Sequence, residues 1–348
     1  CGWIFRSARL VVHTELKNLN QNLLMKQNYL KLSLFFFLLC ASFTYSQQDF
    51  HLALYKYHAA VFNPAFVGTQ DGTFLNTSFR SQWTGIEQGP RIQALSLGFP
   101  SGESRAGYGV LVTNDKTFIQ QQTKFYGTFS YRLPIDNQWD VFMGISAGGS
   151  NLTVDFNQLQ KLGQQGDNQF QNISQFNPNV GVGVYLKHER FFFSLSIPQL
   201  LGTKRAREQQ GISTSAKDQP HIYAITGYTL ALQGDWSWVN SALVRYVSDA
   251  PVSAVINSGV GYKNIEATVG YQIDAGISGT FMLQEFSKYG LALGYSYQVP
   301  TQKDLATLTN GNHEILLRIR LGKKTSKQPI QQESLDEKQV GTKKIETK

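Results

Sequence analysis

Cysteine is almost absent from this 348-residue sequence, which contains only Cys1 and Cys40. Both precede position 47, where we expect the mature protein to begin, so the mature chain would have no disulfide and no thiol chemistry. Long hydrophobic runs are missing too: no stretch between Gln47 and Gly322 is apolar enough for a membrane helix, and mean hydropathy is −0.25. These absences argue against both a disulfide-stapled fold and a helical membrane domain.

Motifs for catalysis and metal binding are also missing. The histidines after position 47 form no HxxxH or HExxH pair, and there is no GxGxxG loop after a strand and no GxSxG elbow. Gly181–Gly183 and Gly259–Gly261 resemble fragments of glycine loops, but they lie in alternating segments and are interpreted as strand glycines. We therefore expect a non-enzymatic protein with no catalytic residue, cofactor or metal; a serine–histidine lipase-like site is the alternative.

Charge gives little information about partners. The chain has a net charge of +8, of which the first 46 residues supply +4. The remaining excess is too small to indicate nucleic-acid binding.

Residues 25–46 have the order of a secretory signal peptide. A basic region after Met25 is followed by the apolar run Leu32–Ala41 and then by small and polar residues. We expect residues 1–24 to be upstream sequence from a misplaced start, with cleavage just before Gln47. A short N-terminal membrane anchor is the alternative.

Fourteen segments alternate apolar and polar residues, a period of two that is typical of strands with one apolar face. In 288–298, for example, Leu291, Leu293 and Tyr295 alternate with small residues. The segments are 73–83, 91–100, 106–115, 122–133, 138–149, 178–188, 190–198, 219–232, 235–248, 251–262, 264–274, 276–286, 288–298 and 312–322. The pattern predicts an all-β fold, a transmembrane up-and-down antiparallel β-barrel of about 14 strands over residues 73–322.

The connections between these segments sort by length. The three longest, 150–177, 199–218 and 299–311, all follow odd-numbered segments, whereas the turns after even-numbered segments are short. Outer-membrane barrels have long loops outside the cell and tight turns in the periplasm. We therefore expect these loops to be external, and the lysine-rich, almost apolar-free tail 323–348 to be flexible and periplasmic. A basic cluster at 204–207 would meet lipopolysaccharide or a secreted partner.

Aromatic residues make up 13% of the chain, and many lie near the predicted strand ends, as interfacial girdles do. A soluble β-sandwich or propeller with an aromatic core is the alternative. The polar strand face, built from Gly, Ser, Thr, Gln and a few charges, favours a barrel with a wet lumen.

The segment ahead of the first strand, 47–72, contains an aromatic and apolar stretch from Tyr55 to Gly68. Asn63–Pro64 is a turn signal, and the flanking aromatic side chains require burial. The pattern is compatible with a plug inside the barrel lumen and with a lead-in packed on the periplasmic rim.

Four motifs resemble, in the right order, those of the PorP/SprF family. Phe62–Gly68 is similar to its N-P-A-aromatic-x-G opening, and 80–93 to its R-x-Q-W-x-G … G-A-P-x-x-Q segment. Gly107–Lys116 resembles its G-x-G … N-D-x strand and loop, and Asn312–Ile315 its closing S-H-E-I strand. One departure is the last strand, which ends at Gly322 without the terminal aromatic residue typical of barrel insertion signals.

The resemblance implies an outer-membrane component of the type IX secretion system of Bacteroidota, tied in some members to gliding motility. Its partners would be secretion components and a large secreted surface protein such as an adhesin, together with outer-membrane lipid and lipopolysaccharide, but no nucleic acid. Trp83 is a candidate interface anchor, whereas Gly85 and Pro90 are also compatible with merely shaping a turn. The candidate partner-contact residues are Asn63, Pro64, Gly68, Arg80, Trp83, Gly85, Pro90, Asn114 and Asp115.

A channel or transporter for small or lipid-like solutes is the alternative function, because fourteen strands enclose a lumen wide enough for a solute. The charges predicted to face the lumen are mixed and form no ring of one sign, so no ion selectivity follows. They are Lys124, Arg132, Lys187, Arg245, Glu266 and Glu314.

Overall fold

The computed structural model describes residues 51–100, 105–156, 172–202, 204–209, 212–217, 219–248, 250–273, 275–287 and 289–322. The predicted upstream segment 1–24, signal peptide 25–46 and tail 323–348 lie outside these residues and remain predictions. No helix in the described part of the chain is long and apolar enough to cross a membrane.

Fourteen strands close into one antiparallel barrel, in which each strand pairs with the next along the chain and the first pairs with the last. Each predicted segment corresponds to one barrel strand, which confirms the predicted fold. The barrel strands are β1 (Thr73–Ser81), β2 (Arg91–Pro100), β3 (Ala106–Thr117), β4 (Gln120–Pro134), β5 (Asp140–Val154), β6 (Ile173–Lys187), β7 (Phe191–Ile197), β10 (His221–Ala231), β11 (Trp236–Val247), β12 (Ser253–Tyr262), β13 (Ile265–Gln272), β14 (Gly276–Leu283), β15 (Ala292–Pro300) and β16 (Asn312–Leu321). Two further strands, β8 (Lys204–Gln209) and β9 (Ile212–Lys217), lie between β7 and β10 in the chain.

The longest connections all leave the same end of the barrel, which we call the loop rim. They follow β5, β7 and β15, and the first connection, 82–90, lies at the same end. This follows from the up-and-down order, because alternate connections of an antiparallel barrel share one rim.

The outer wall of the barrel is apolar and the inner wall is mostly polar. In β15, Leu293 points outward with 45% of its surface exposed, whereas its neighbour Ala292 points inward and is 1% exposed. Successive side chains of a strand point to opposite faces, so the period of two places the apolar set on one side only. Closure of the sheet leaves no unpaired backbone edge in the hydrocarbon layer.

Leu293→Arg is expected to lower the stability of the folded barrel in lipid by roughly 2–4 kcal/mol, because the arginine would carry its charge into the hydrocarbon layer. Leu293→Ala, which keeps the position apolar, is the matched control. Folding titrations in lipid vesicles measure both variants. Equal stabilities of the two variants would mean that Leu293 does not face lipid.

β5 and β6 are longer than predicted, so the connection predicted over 150–177 is shorter. β5 continues to Val154 and β6 begins at Ile173; residues 157–171 lie outside the described part of the chain. Gly–Gly and Asn–Pro are turn signals in a sequence, yet Gly149 pairs with Pro178 in an uninterrupted ladder. A proline is tolerated where its backbone nitrogen faces away from the paired neighbour.

The predicted loop 199–218 contains a second sheet, which corrects its assignment as a polar loop. β8 (Lys204–Gln209) pairs with β9 (Ile212–Lys217) in a two-stranded sheet separate from the barrel. Each strand has only six residues, which is too few for an alternation to stand out from a polar loop. The predicted loop 299–311 contains a short helix, α1 (Lys303–Leu308).

Candidate functional site

Residues 51–72, which we call the lumen segment, lie inside the barrel. Leu52, Tyr55 and Phe62 are buried and pack against inward-facing side chains of β2, β3, β4, β10, β11 and β12. Two short 3₁₀ helices, η1 (Ala59–Val61) and η2 (Pro64–Gly68), complete the segment before it enters β1. The sequence was compatible with a plug inside the lumen and with a lead-in on the periplasmic rim; in the structure the segment lies inside the lumen.

Asn63 fixes the start of η2 and joins it to the wall. Its side-chain oxygen accepts from the backbone nitrogen of Ala65 at 2.8 Å, an N-cap followed by proline at the first helical position. Its amide nitrogen donates to Oγ of Ser194 on β7 at 2.8 Å. A Cβ added at Gly183 would lie 2.0 Å from the Asn63 side-chain oxygen, and one at Gly144 would lie 2.1 Å from the Ala65 nitrogen. Glycine at these wall positions allows the close approach.

Glu314 on β16 holds the start of the lumen segment. Its carboxylate is fully buried and accepts from the backbone nitrogens of Ala53 at 2.7 Å and Leu54 at 3.0 Å. Arg80 on β1 lies 3.1 Å from the same carboxylate and also donates to the Gln298 side chain at 2.6 Å. A buried charge is tolerated only when it is paired and hydrogen-bonded. We call Glu314, Arg80, Ala53 and Leu54 the Glu314 cluster.

His58 connects the middle of the lumen segment to β1 and β2. Its Nδ1 lies 2.7 Å from Oγ of Ser78 and its Nε2 lies 2.9 Å from Oγ of Ser96. Burial, with a smaller effect from the nearby Arg318 charge, lowers the pKa of His58 to about 3. The ring is therefore neutral at neutral pH, with one donor and one acceptor nitrogen that the two hydroxyl groups can satisfy.

The lumen segment also contacts the opposite side of the barrel. The Tyr55 hydroxyl lies 3.0 Å from Oγ of Ser241 on β11. Lys56 forms an ion pair of 2.9 Å with Glu266 on β13, whose carboxylate also accepts from the Tyr57 hydroxyl. With the contacts to β1, β2, β7 and β16, these bonds extend the segment's anchoring around much of the circumference.

Little space remains between η2 and the neighbouring wall. A cavity of about 10 Å³, lined in part by Phe66, Val67, Ser96 and Leu111, lies there, and it has room for roughly one water molecule. In this region the polar inner wall, which we expected to face water, faces the chain itself.

Charges that were predicted to face the lumen have partners within the chain. Glu266 and Glu314 bind the lumen segment as described, and the Lys187 ammonium donates to the backbone oxygen of Thr69. Arg132 pairs with Asp140 at 2.8 Å. These charges therefore contribute to packing and anchoring, not to a ring around an open pore.

The predicted partner-contact residues divide into two groups. Asn63, Pro64 and Arg80 are buried in the lumen, and Gly68 packs against β3 and β4; all four contact the chain itself. The other five lie toward the loop rim, where contact with a partner stays a prediction. They are Trp83, Gly85, Pro90, Asn114 and Asp115; Pro90 is buried and the rest are partly or fully exposed.

The first and last connections of the loop rim are joined to each other. The Thr84 nitrogen donates to the Gly311 oxygen at 2.9 Å, and the Asn310 nitrogen donates to the Thr84 oxygen at 2.6 Å. Trp83 has a φ of 52° and Gly85 a φ of 98°, the left-handed region that glycine adopts easily and tryptophan rarely. Such a conformation persists only where surrounding contacts hold it, so the shape of this loop is well determined.

The sequence did not predict that Glu314 and His58 anchor the lumen segment. Glu314 was recognisable only as a charge on a lumen-facing position near the end of the chain. Within the residues that the structure describes, no three His, Cys, Asp or Glu side chains are grouped so that they could hold a metal ion.

A closed barrel with an apolar outer wall and a polar, internally bonded lumen defines an outer-membrane β-barrel protein. The model of the family "Type IX secretion system membrane protein PorP/SprF" matches residues 44–319. The chain belongs to this family, which confirms the resemblance seen in its motifs.

Solved structures with a similar fold are distant in sequence. They include the CymD monoaromatic hydrocarbon channel, with 12% identity, a TM-score of 0.44 and coverage of 75% of this chain and 91% of that chain. The toluene transporter TbuX of Ralstonia pickettii has 10% identity, a TM-score of 0.46 and coverage of 76% and 93%. The outer membrane protein Omp33 of Acinetobacter baumannii has 8% identity, a TM-score of 0.42 and coverage of 73% and 100%. Likeness at this level carries no argument about function. No curated protein sequence matches the chain.

Proposed function

We propose that this protein is a non-enzymatic component of the type IX secretion system that binds protein partners at its rim and supports export or surface retention of a large surface protein. Family membership supports the secretion role. The observation that carries the partner-binding role is the occupied lumen, because residues 51–72 fill space that a solute would need.

The contacts of the lumen segment support a permanent place inside the barrel and not one that the segment leaves and re-enters. Its anchors include the buried carboxylate of Glu314 and the neutral ring of His58, which is hydrogen-bonded at both nitrogens. Each bond broken in the lumen would leave a buried polar group unsatisfied, which costs about 1–3 kcal/mol per group. A barrel held in this way offers its rim, and not its interior, to other molecules.

The loop rim is the surface that we assign to partners, with the joined first and last connections at one side. The basic residues of β8 and the exposed polar positions near Asn114 and Asp115 lie at the same end of the barrel. We propose that this rim faces the cell exterior, where lipopolysaccharide and the exported surface protein are available. Contact between this rim and an adhesin-type surface protein, and a role in gliding, are part of the proposed function.

Two measurements on the unmodified protein test the proposal. Reconstituted in a planar bilayer, it is expected to show no steady conductance, and type IX components are expected to co-isolate with it from outer membranes. The same purification from cells that lack the translocon is the control. A steadily open pore from a barrel that retains no type IX component would support the channel or transporter alternative instead.

A further inference from the structure

β6 extends beyond its neighbour β7. It pairs with β5 along its whole length but with β7 only over Val182–Lys187. β7 ends at Ile197, and the chain that follows covers β6 only up to Val180, whose backbone oxygen accepts from the Leu200 nitrogen at 2.8 Å. Residues 173–178, which we call the β6 edge, therefore have no strand on the side away from β5 in the described part of the chain.

Alternation of the backbone shows which groups point to this edge. Val180 directs its carbonyl toward Leu200, and its N–H donates to the Asn179 side chain at 2.9 Å, so its backbone faces away from β5. In an antiparallel ladder, alternate residues direct their N–H and C=O groups to opposite neighbours. The backbone groups of Ser174 and Phe176 therefore point to the open edge. The β8–β9 hairpin forms its own sheet and does not pair there.

The β6 edge lies past the apolar band of the outer wall. On β5 the outward side chains change from Met143 and Ile145 to Asn151 and Thr153 toward the loop rim. Ser174 Oγ lies 3.5 Å from the Asn151 side-chain oxygen on the same outward face. A change from apolar to polar side chains marks the point where a barrel strand leaves the lipid. Water can therefore reach these backbone groups, and a strand can replace the water.

Phe176 provides an apolar surface beside the open backbone groups. Its side chain is 66% exposed, and its ring lies over Gly149 of β5, where an added Cβ would come within 2.4 Å of the ring. Neighbouring side chains on one face of paired strands contact each other. An incoming strand would therefore gain from an apolar or β-branched residue beside Phe176.

We propose that the β6 edge binds an extended segment of a protein partner by strand addition. Its donors and acceptors repeat at every second residue, roughly 6.5–7 Å apart, a spacing that an extended polypeptide backbone reproduces. Pro178, the next residue that points to this edge, has no N–H and ends the ladder toward the membrane. The inference rests on the proposed function, which places protein partners at this rim.

Phe176→Pro tests the edge directly. It removes one edge N–H and places a ring where the added strand would lie. Pro178, two residues further along β6 and directed to the same edge, shows that proline is tolerated at such a position. Phe176→Ala is the control, because it removes the aromatic ring but keeps the N–H. We expect Phe176→Pro to lower the amount of type IX component retained per folded barrel at least tenfold, because one edge hydrogen bond is lost and the proline ring blocks the added strand. Phe176→Ala should lower it less. Heat-modifiable migration on gels confirms that each barrel is folded.

Amide hydrogen exchange supplies a second readout. The N–H groups of Ser174 and Phe176 are expected to exchange fast in the isolated barrel and slowly in the isolated complex. The strand-addition proposal is overturned if these N–H groups exchange equally fast in the isolated barrel and in the complex. It is also overturned if Phe176→Pro retains as much type IX component as the unmodified protein. In both cases the secretion role stands. Loss of all type IX components from the unmodified protein instead overturns the proposed function and the inference with it. A proline-sensitive dimer of the chain itself would make a second copy the occupant and overturn the assignment to a partner.

Discussion

Removing residues 51–69 is expected to turn an electrically silent barrel into a conducting one. The deletion takes away the side chains that fill the lumen and leaves the fourteen strands and their closing β1–β16 pair unchanged. A barrel of this strand number encloses a lumen wide enough for water and small solutes once nothing fills it. Planar-bilayer recording of the purified variant measures the change.

A deletion of 205–213 is the matched control for this experiment. It removes part of the β8–β9 hairpin, which belongs to a separate sheet, and leaves the lumen segment in place. We expect this control to stay silent. A lumen deletion that folds but remains silent would show that other parts of the chain close the barrel, and it would remove the main support for a partner-binding role at the rim.

The strands could be predicted from the sequence because their signal is local. An outward position such as Leu293 must be apolar whatever lies elsewhere in the chain, and its neighbour Ala292 must suit the interior. This requirement repeats at every second residue, so each of the fourteen strands shows it. The predicted end of β5 and start of β6 were wrong. Gly148–Gly149 and Asn177–Pro178 are turn signals when taken alone, and only their pairing shows that the ladder continues.

The arrangement inside the lumen could not be predicted in the same way. A period of two shows that Glu314 faces inward, but it does not show which group lies across the lumen. Ala53 is separated from Glu314 by 261 positions, and Asn63 from Ser194 by 131. Contacts of this kind depend on closure of the whole barrel, so the sequence could not show that Asn63, Pro64, Gly68 and Arg80 lie within the lumen.

Glu314→Ala is expected to cost about 3–5 kcal/mol of stability, because removing one partner leaves the buried Arg80 charge without its carboxylate. The backbone nitrogens of Ala53 and Leu54 would lose their acceptor as well. Urea unfolding in lipid vesicles measures the loss. The variant Leu54→Cys reports whether the lumen segment is released, since its thiol should react with a maleimide only after the Glu314 cluster is broken.

Asp235→Ala is the matched control, because it removes a carboxylate from a solvent-exposed ion pair. Asp235 lies 3.7 Å from Lys263, and both side chains are 60% exposed, so its loss should cost no more than about 1 kcal/mol. Glu314→Gln separates the two contributions of the carboxylate, because the amide oxygen still accepts one backbone bond but carries no charge for Arg80. If Glu314→Ala behaves like Asp235→Ala and the cysteine at position 54 stays unreactive, the other contacts of the lumen segment hold it without Glu314. In that case His58, Asn63 and Glu266 would be the groups that keep the lumen filled.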